Sequence, residues 1–199
     1  QETDLRLNDR PLGAVAQVLR HFRPASTLAF CNTKSQCRAL VAYLKDQGFS
    51  ALALFGELEQ RERDQVLVQF ANRSCTVLVA TDVAARGLDI ASLAAVINVD
   101  VTPDPEVHVH RIGRTGRAGE TGLALNLASL DEMGSVGRIE QLQGRESTWH
   151  PLAELTPAPG AAFAWAHPVD VYNLQIQGSG RISFPDGSQA RAAFAAQNG

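Results

Sequence analysis

Apolar residues along the first three quarters of the chain alternate between two spacings. At helical spacing they recur every third or fourth position, as from Pro11 to His21, and elsewhere they form short unbroken runs typical of strands, as from Ser26 to Cys31. The predicted helices are Pro11–His21, Lys34–Gln47, Glu59–Phe70, Pro105–Ile112 and Asp131–Leu142. The predicted strands are Ser26–Cys31, Ala51–Leu54, Thr76–Ala80, Ala95–Val99 and Gly122–Leu127.

This alternation predicts an α/β fold. Several of the strands are apolar on both faces, which is typical of a parallel sheet covered by helices on both sides. Ligands of such sheets bind beyond the carboxyl ends of the strands. Chemistry is therefore expected in the loops that follow Cys31, Leu54, Ala80 and Val99.

The pattern changes near Thr148. Residues 1–150 are predicted to form one domain, and residues 151–168, rich in Pro and Ala without a clear period, a linker. Residues 169–199 alternate in β fashion around the turn sequences GSG and PDG. This tail is predicted to be a small β-hairpin or meander.

Composition narrows the function. The 199 residues, 45% hydrophobic and 20% charged, fit one globular domain with a small appendage. A formal charge of -3 excludes a polybasic protein that wraps nucleic acid, so any anion must be bound by locally concentrated arginines.

The three cysteines are odd in number and lack zinc-site spacing, which indicates a reducing compartment. With no leader-like start and no apolar run near the ~20 residues of a membrane span, a cytoplasmic protein is expected, with no membrane partner.

The run HRIGRTGRAG, His110 to Gly119, carries the strongest indication of a ligand. Glycines after a predicted helix let Arg114 and Arg117 point into one space, where two guanidinium groups repel each other unless an anion joins them. Their planar forks suit phosphate oxygens, so a polyphosphate is the expected ligand. The alternative is a surface loop whose arginines pair with carboxylates.

A second candidate loop follows the predicted strand Thr76–Ala80. Thr81 lies at the carboxyl end of that strand, where its hydroxyl can meet a phosphate, and Asp89 can accept hydrogen bonds from a ribose. The structural alternative makes Asp82 a helix N-cap and Asp89 a turn residue.

The third candidate is the run FGELEQRERDQVLVQF, from Phe55 to Phe70. Gly56 permits a close backbone approach, and Gln60 and Arg63 share one helical face. The alternative is an exposed helix face with surface ion pairs.

Four runs together resemble, in order and spacing, motifs IV, IVa, V and VI of the DEAD-box RNA helicases, most of all the bacterial DbpA branch. They are FCNTK at residues 30–34, GELEQRER at 56–63, TDVAARGLDI at 81–90 and HRIGRTGRAG at 110–119. The resemblance covers roughly Asp4 to Thr156. It implies the C-terminal RecA-like domain of an ATP-dependent helicase.

The resemblance also implies roles. In that family, arginines matching Arg114 and Arg117 reach the γ-phosphate of ATP, and residues matching His110 and Arg111 couple ATP to the partner domain. Gly87 and Asp89 match residues beside the ribose. The positions matching the RNA backbone path are Asn32, Thr33, Gly56, Gln60, Arg63 and Thr81.

The phosphate-cradling sequence GxxxxGK[ST] and the tetrapeptide DEAD do not occur in the chain. In the family, both belong to the N-terminal RecA-like domain, which holds the β-phosphate and most of the Mg²⁺ ligands. That domain and RNA, most simply ribosomal RNA as in the DbpA branch, are therefore the expected partners. The chain alone is expected to be inactive, and no metal ligand is predicted within it.

The tail is similar to another family. NLQIQGSGRISFPDG followed by AAQNG resembles a segment of about thirty residues in membrane-bound lytic murein transglycosylase A, a peptidoglycan-cleaving enzyme. A helicase domain joined to such a fragment indicates a fusion, an engineered chimera or a gene-model accident. Two other functions stay open: a peptidoglycan hydrolase fragment, and a non-catalytic RNA-binding or structural protein.

Overall fold

The computed structural model describes residues 2–90, 93–116, 122–129, 132–146 and 170–176. Within them the helices are α1 (Glu2–Phe22), α2 (Lys34–Asp46), α3 (Gln60–Ala71), α4 (Asp82–Ala85), α5 (Pro105–Ile112) and α6 (Met133–Gln143). The strands are β1 (Thr27–Phe30), β2 (Ala51–Leu54), β3 (Val77–Ala80), β4 (Ala95–Asn98), β5 (Leu123–Ser129) and β6 (Asp170–Ile176).

The strands form one sheet in the order β2-β3-β1-β4-β5-β6, and every neighbouring pair is parallel. Helices cover both faces. On one face α1 and α2 pack on alternate strand residues such as Ala29 and Ile97, and on the other face α3 and α4 pack on the residues between them, such as Leu28 and Val96. This two-sided burial explains the unbroken apolar runs in the sequence and confirms the predicted α/β fold.

The predicted elements differ from the observed ones in α1, in α4 and in the tail. Helix α1 begins at Glu2, ahead of the predicted start at Pro11, and the four-residue helix α4 lies where the sequence predicted only a loop. In the tail, β6 pairs in parallel with β5 from Asp170↔Leu123 to Ile176↔Ser129. The predicted GSG and PDG turns lie outside the described residues, as does the linker 151–168.

Parallel strands place all their carboxyl ends at one edge. In spatial order, the loops that leave this edge follow β2, β3, β1 and β4, and they begin at Phe55, Thr81, Cys31 and Val99. We call this row of loops the carboxyl edge. No helix in the described part of the chain is both long enough and apolar enough to cross a membrane.

Candidate functional site at the carboxyl edge

A buried arginine ties the carboxyl edge together. Arg111 lies in the last turn of α5 with only 1% of its side chain exposed. Its Nε donates to Oδ1 of Asp82 at 2.7 Å, and its Nη2 donates to Oδ2 at 2.6 Å. Such a two-pronged pair satisfies both the charge and the geometry of the guanidinium group. It joins α5 to the start of α4.

The remaining guanidinium hydrogens reach the ends of β1 and β4. Nη2 donates to Oδ1 of Asn32 at 3.0 Å, and Nη1 donates to the Asp100 carbonyl oxygen at 2.8 Å and to Oδ1 of Asn98 at 3.4 Å. The guanidinium carbon lies 5.1 Å from the centre of the Phe30 ring. A buried charge is tolerated only when it is paired and fully hydrogen-bonded, and Arg111 meets both conditions.

Asp100 organises the loop after β1. Its Oδ2 accepts from the Asn32 backbone N–H at 2.8 Å, and its Oδ1 accepts from the Gln36 side chain at 3.1 Å. Burial raises the pKa of this carboxyl, while the Asn32 N–H and then the Arg111 charge act to lower that pKa. Asp100 therefore connects the first turn of α2 to the same cluster as Arg111.

A cleft of about 290 Å³ opens beside this cluster. His110, Arg111 and Arg114 all line it, so the structure brings together three of the four residues predicted to act on ATP. Arg86 also lines it, and Asp82 is the one acidic side chain among its described lining residues. Because Asp82 is paired with Arg111, Arg86 and Arg114 give the cleft a net positive charge, which suits an anion.

Arg114 is fixed by the backbone around it. Its Nη1 donates to the Leu88 carbonyl oxygen at 2.8 Å, and the next residue, Thr115, donates its hydroxyl to the Leu93 carbonyl oxygen at 2.5 Å. Gly122 comes so close that an added Cβ would overlap the Thr115 hydroxyl and lie 2.5 Å from the Gly116 nitrogen. Arg117, the fourth predicted residue, lies outside the described residues.

The predicted ribose residues flank Leu88, whose carbonyl oxygen binds Arg114, but neither of them lines this cleft. Gly87 has a φ of +76°, a left-handed conformation that favours glycine, and it is exposed. Asp89 lines a separate cleft with Ser26 and Arg73. Asp89 thus lines a different cleft from His110 and Arg114, although it directly follows the residue that Arg114 contacts.

Four of the six predicted RNA residues follow adjacent strands. Gly56 follows β2, Thr81 follows β3, and Asn32 and Thr33 follow β1, so they form a row along the carboxyl edge. Thr33 caps α2 by accepting from the Gln36 N–H, while the Gln36 side chain accepts from the Thr33 N–H. Thr81 is the N-cap residue of α4 but makes no side-chain capping bond.

The other two predicted RNA residues lie in the first turns of α3. Gln60 is exposed and donates to the Asp64 side chain at 2.7 Å. Arg63 reaches the short helix α4, where its Nη2 donates to the Ala84 carbonyl oxygen at 3.2 Å. Gln60 is thus held within α3, and Arg63 connects α3 to α4.

Three residues of this site were not predicted to have a role in it. The sequence pattern indicated Asp82 only as a capping residue and Arg86 only as part of a motif, and it gave no role to Asp100, which follows the predicted strand Ala95–Val99. Asp100 could have been found, because it directly follows a strand at the edge where ligands bind. In the described part of the chain, no cluster of three or more His, Cys, Asp or Glu side chains is suited to a metal ion.

This fold and this arginine cluster define a class of protein. Residues 12–119, more than half of the chain, match the helicase conserved C-terminal domain, and the chain belongs to that family. Within it, the relatives are DEAD-box RNA helicases, whose C-terminal domains have the same RecA-like fold.

Individual relatives support this assignment. The chain is 52% identical over 148 residues to the ATP-dependent RNA helicase DbpA of Escherichia coli, covering 74% of this chain and 31% of that protein. The crystal structure of the E. coli DEAD-box protein SrmB, bound to regulator of ribonuclease activity A, matches with a TM-score of 0.71 at 27% identity over 79% of this chain and 92% of that one. The crystal structure of a DEAD-box protein from Methanococcus jannaschii matches with a TM-score of 0.62 at 30% identity, and the match covers 84% of this chain and 39% of that one.

The tail matches the second family named above. Residues 134–199 match the MltA specific insert domain, which confirms the resemblance to membrane-bound lytic murein transglycosylase A. The match is longer than the roughly thirty residues predicted, because it begins at residue 134, near the start of α6.

Proposed function

We propose that this chain is the C-terminal half of an ATP-dependent RNA helicase and couples an ATP-contacting cleft to an RNA-contacting edge. The observation that carries the proposal is the position of Arg111. Its guanidinium group binds Asn32, which follows β1 on the proposed RNA edge, and Asp82, which lines the proposed ATP cleft. A movement of either Asn32 or Asp82 therefore disturbs the hydrogen bonds of the same buried guanidinium group.

On the ATP side, Arg114 is the proposed phosphate ligand. It lies in a positively charged cleft, and its Nη1 is anchored to the Leu88 carbonyl oxygen. The anchored guanidinium group is pre-positioned for a γ-phosphate that a second domain delivers. Arg117 is proposed to join it, and Gly87 and Asp89 to meet the ribose once the two domains close.

His110 and Arg111 have different proposed tasks. His110 is exposed at the mouth of the cleft and can contact the partner domain directly. Arg111 has its hydrogen bonds within the domain and is buried, so it acts as a positioning residue rather than an ATP ligand.

On the RNA side, the row from Gly56 through Thr81 to Asn32 and Thr33 offers hydroxyl, amide and backbone N–H groups. These groups suit phosphates and 2′-hydroxyls, so RNA binding is expected to be nearly independent of sequence. Gln60 and Arg63 extend the row onto α3. Ribosomal RNA is the proposed target and the cytoplasm the proposed location, by analogy with the DbpA relative.

The chain spans 31% of the length of DbpA, so the rest of the site must come from elsewhere. The proposed partner is an N-terminal RecA-like domain that holds the β-phosphate and Mg²⁺. Without that domain the chain is expected to hydrolyse ATP at a negligible rate.

The test is reconstitution with the N-terminal domain of E. coli DbpA. RNA-stimulated ATP hydrolysis is measured for each protein alone and for the mixture. Activity is expected only in the mixture, and Arg114→Ala is expected to lower it by roughly 10³-fold or more, the effect of losing a phosphate-stabilising arginine.

Arg138→Ala is the matched control, because Arg138 is an exposed arginine on α6 that bonds only Ser135 among the described contacts. It is expected to leave the activity unchanged. RNA-stimulated turnover by the chain alone, or an Arg114→Ala mixture as active as the Arg138→Ala mixture, contradicts the proposal.

The family match over residues 134–199 supports a second candidate function, peptidoglycan binding or cleavage by the tail. Incubation of the chain with purified murein sacculi tests it. Co-sedimentation or release of soluble muropeptides supports this function, and the absence of both excludes it.

A further inference from the structure

An exposed ion pair joins two of the loops at the carboxyl edge. Lys34 is the first residue of α2 and directly follows Thr33, and Glu57 directly follows Gly56 in the loop after β2. The Nζ of Lys34 donates to Oε1 of Glu57. Because β3 lies between β1 and β2 in the sheet, the pair connects the two loops on either side of the loop that begins at Thr81. Lys34 and Glu57 are therefore sequence neighbours of two proposed RNA residues.

The stability of α2 does not account for Lys34. A cation in the first turn of a helix is opposed by the positive end of the helix dipole, and the first turn of α2 has no acidic residue to offset it. The side chains of Lys34 and Glu57 are 44% and 66% exposed, and an ion pair so exposed contributes little to the free energy of unfolding. A ligand explains the position of this lysine better than the fold does.

A second cation lies one turn further along α2. The guanidinium carbon of Arg38 is 5.0 Å from the centre of the Phe55 ring, in the same loop as Glu57. The hydrogen bond and the charge of Lys34, and then the charge of Arg38, lower the pKa of Glu57. Two cations therefore surround one carboxylate, and this patch keeps a net positive charge that suits a phosphate.

We propose that Lys34 is a phosphate ligand for RNA and that Glu57 competes with the phosphate for it. In the free domain Glu57 binds the lysine, and when RNA reaches the carboxyl edge the ammonium group exchanges the carboxylate for a backbone phosphate. Both side chains are exposed, so the exchange requires only their rotation. Arg38 keeps a positive charge near Glu57 after the exchange. This proposal rests on the proposed function, because it takes RNA as the ligand of the carboxyl edge.

The exchange has two measurable consequences. Glu57 weakens RNA binding, so Glu57→Gln is expected to tighten it by roughly two- to fivefold, the range for loss of an exposed ion pair. Lys34 neutralises one phosphate and releases its counterions. Lys34→Met is therefore expected to lower the slope of log affinity against log salt concentration by about 0.7, and to weaken RNA binding by up to about fivefold at about 0.1 M salt.

The experiment measures RNA binding by fluorescence anisotropy in the mixture with the N-terminal domain of E. coli DbpA and a non-hydrolysable ATP analogue. The probe is a labelled single-stranded oligouridylate, titrated at several salt concentrations. The double variant Lys34→Met/Glu57→Gln separates competition from general repulsion. If Glu57 acts by binding Lys34, Glu57→Gln is expected to tighten RNA binding by at most about 1.5-fold once Lys34 is absent. General repulsion between Glu57 and RNA would give the same gain in both backgrounds.

Two residues in the last turn of α2 provide matched controls. Lys45→Met and Asp46→Asn remove the same charges, but that turn leads to the amino end of β2, at the opposite edge of the sheet. Both variants are expected to bind RNA with the affinity and the salt slope of the wild type. All four single substitutions change exposed side chains, so the midpoint of urea unfolding is expected to stay close to that of the wild type.

Three outcomes overturn the proposal: an unchanged affinity of Glu57→Gln, an unchanged salt slope of Lys34→Met, or an equal gain from Glu57→Gln with and without Lys34. In each of them the wild-type mixture still binds RNA, so the proposed function stands. A wild-type mixture that does not bind RNA removes the proposed function and this proposal together.

Discussion

Asp82 precedes Arg111 by 29 residues in the chain, yet it holds two of the guanidinium nitrogens at 2.6 and 2.7 Å. The arginine is almost fully buried, and the carboxylate is 31% exposed. The pair is therefore unequal: loss of the aspartate leaves a charge inside the domain, whereas loss of the arginine leaves a charge that water can reach.

Asp82→Ala is expected to lower the free energy of unfolding by roughly 2–3 kcal/mol. This loss is at or below the low end for breaking a buried ion pair, because water reaches the Asp82 carboxylate. Urea denaturation measures the change in the free energy of unfolding. Asp64→Ala, which removes an exposed carboxylate from α3, is the control and is expected to cost under about 1 kcal/mol. Combining Asp82→Ala with Arg111→Met should recover stability, and a double variant no more stable than Asp82→Ala would show that the unpaired charge is not the cause.

Gly122→Ala tests the packing that fixes Arg114. The added Cβ would overlap the Thr115 hydroxyl, so the loop must move, and a loss of roughly 1–3 kcal/mol is expected in thermal or urea unfolding. Gly137→Ala in α6 meets no atom within 4 Å and is expected to stabilise the domain by about 0.5–1 kcal/mol. Equal effects of the two substitutions would contradict the close contact.

His108 gives the domain a pH dependence. It is 2% exposed, neither ring nitrogen has a hydrogen-bond partner among the described residues, and burial and then the Arg111 charge lower its pKa from 6.5 to about 4. Between pH 6.5 and 4 the unfolded chain therefore binds a proton at His108 that the native domain does not bind. The contribution of neutral His108 to the free energy of unfolding is complete above pH 6.5 and is lost as the pH falls from 6.5 towards 4. The loss is expected to be about 3 kcal/mol.

The difference between the wild type and His108→Phe isolates this effect, because other groups titrate equally in both. Urea midpoints measured from pH 7.5 down to pH 4 are expected to fall more steeply for the wild type. Parallel curves for the two proteins would show that His108 is not buried in its neutral form.

Thr33 has both a structural and a proposed RNA role, and two substitutions separate them. Thr33→Ala removes the cap of α2 and is expected to cost about 1 kcal/mol in urea unfolding, whereas Thr33→Ser keeps the capping hydroxyl. In the reconstituted helicase, RNA affinity is read from fluorescence anisotropy. Weakened RNA binding by Thr33→Ala but not by Thr33→Ser is expected, and equal binding by all three proteins would remove Thr33 from the RNA edge.

The strands β1, β3, β4 and β5 were predictable because their residues are buried on both faces, and the longer helices were predictable because each has an apolar face. Helix α4 was not, since four residues are too few to show a helical period. The upstream turns of α1, from Glu2 to Arg10, carry mostly polar and charged residues, so apolar spacing could not reveal them.

The candidate site was predicted in part. Strand-end position predicted only which loops meet at one edge, and the helicase resemblance selected Asn32, Gly56 and Thr81, which the structure places in three of those loops. The burial of Arg111 was not predictable, because its partner Asp82 lies in another motif and only the folded sheet brings the two together. The local charge pattern of a sequence indicates that an arginine is functional, but it does not show whether the side chain faces a ligand or the interior of the domain.

The place of β6 has an evolutionary consequence. It joins the sheet through β5 at the far end from β2, while the loops of the carboxyl edge follow β1 to β4. A strand at that margin adds a parallel neighbour to β5 and leaves the loops after β1 to β4 in place. The outermost strand of such a domain can therefore vary in sequence without moving the residues of the carboxyl edge.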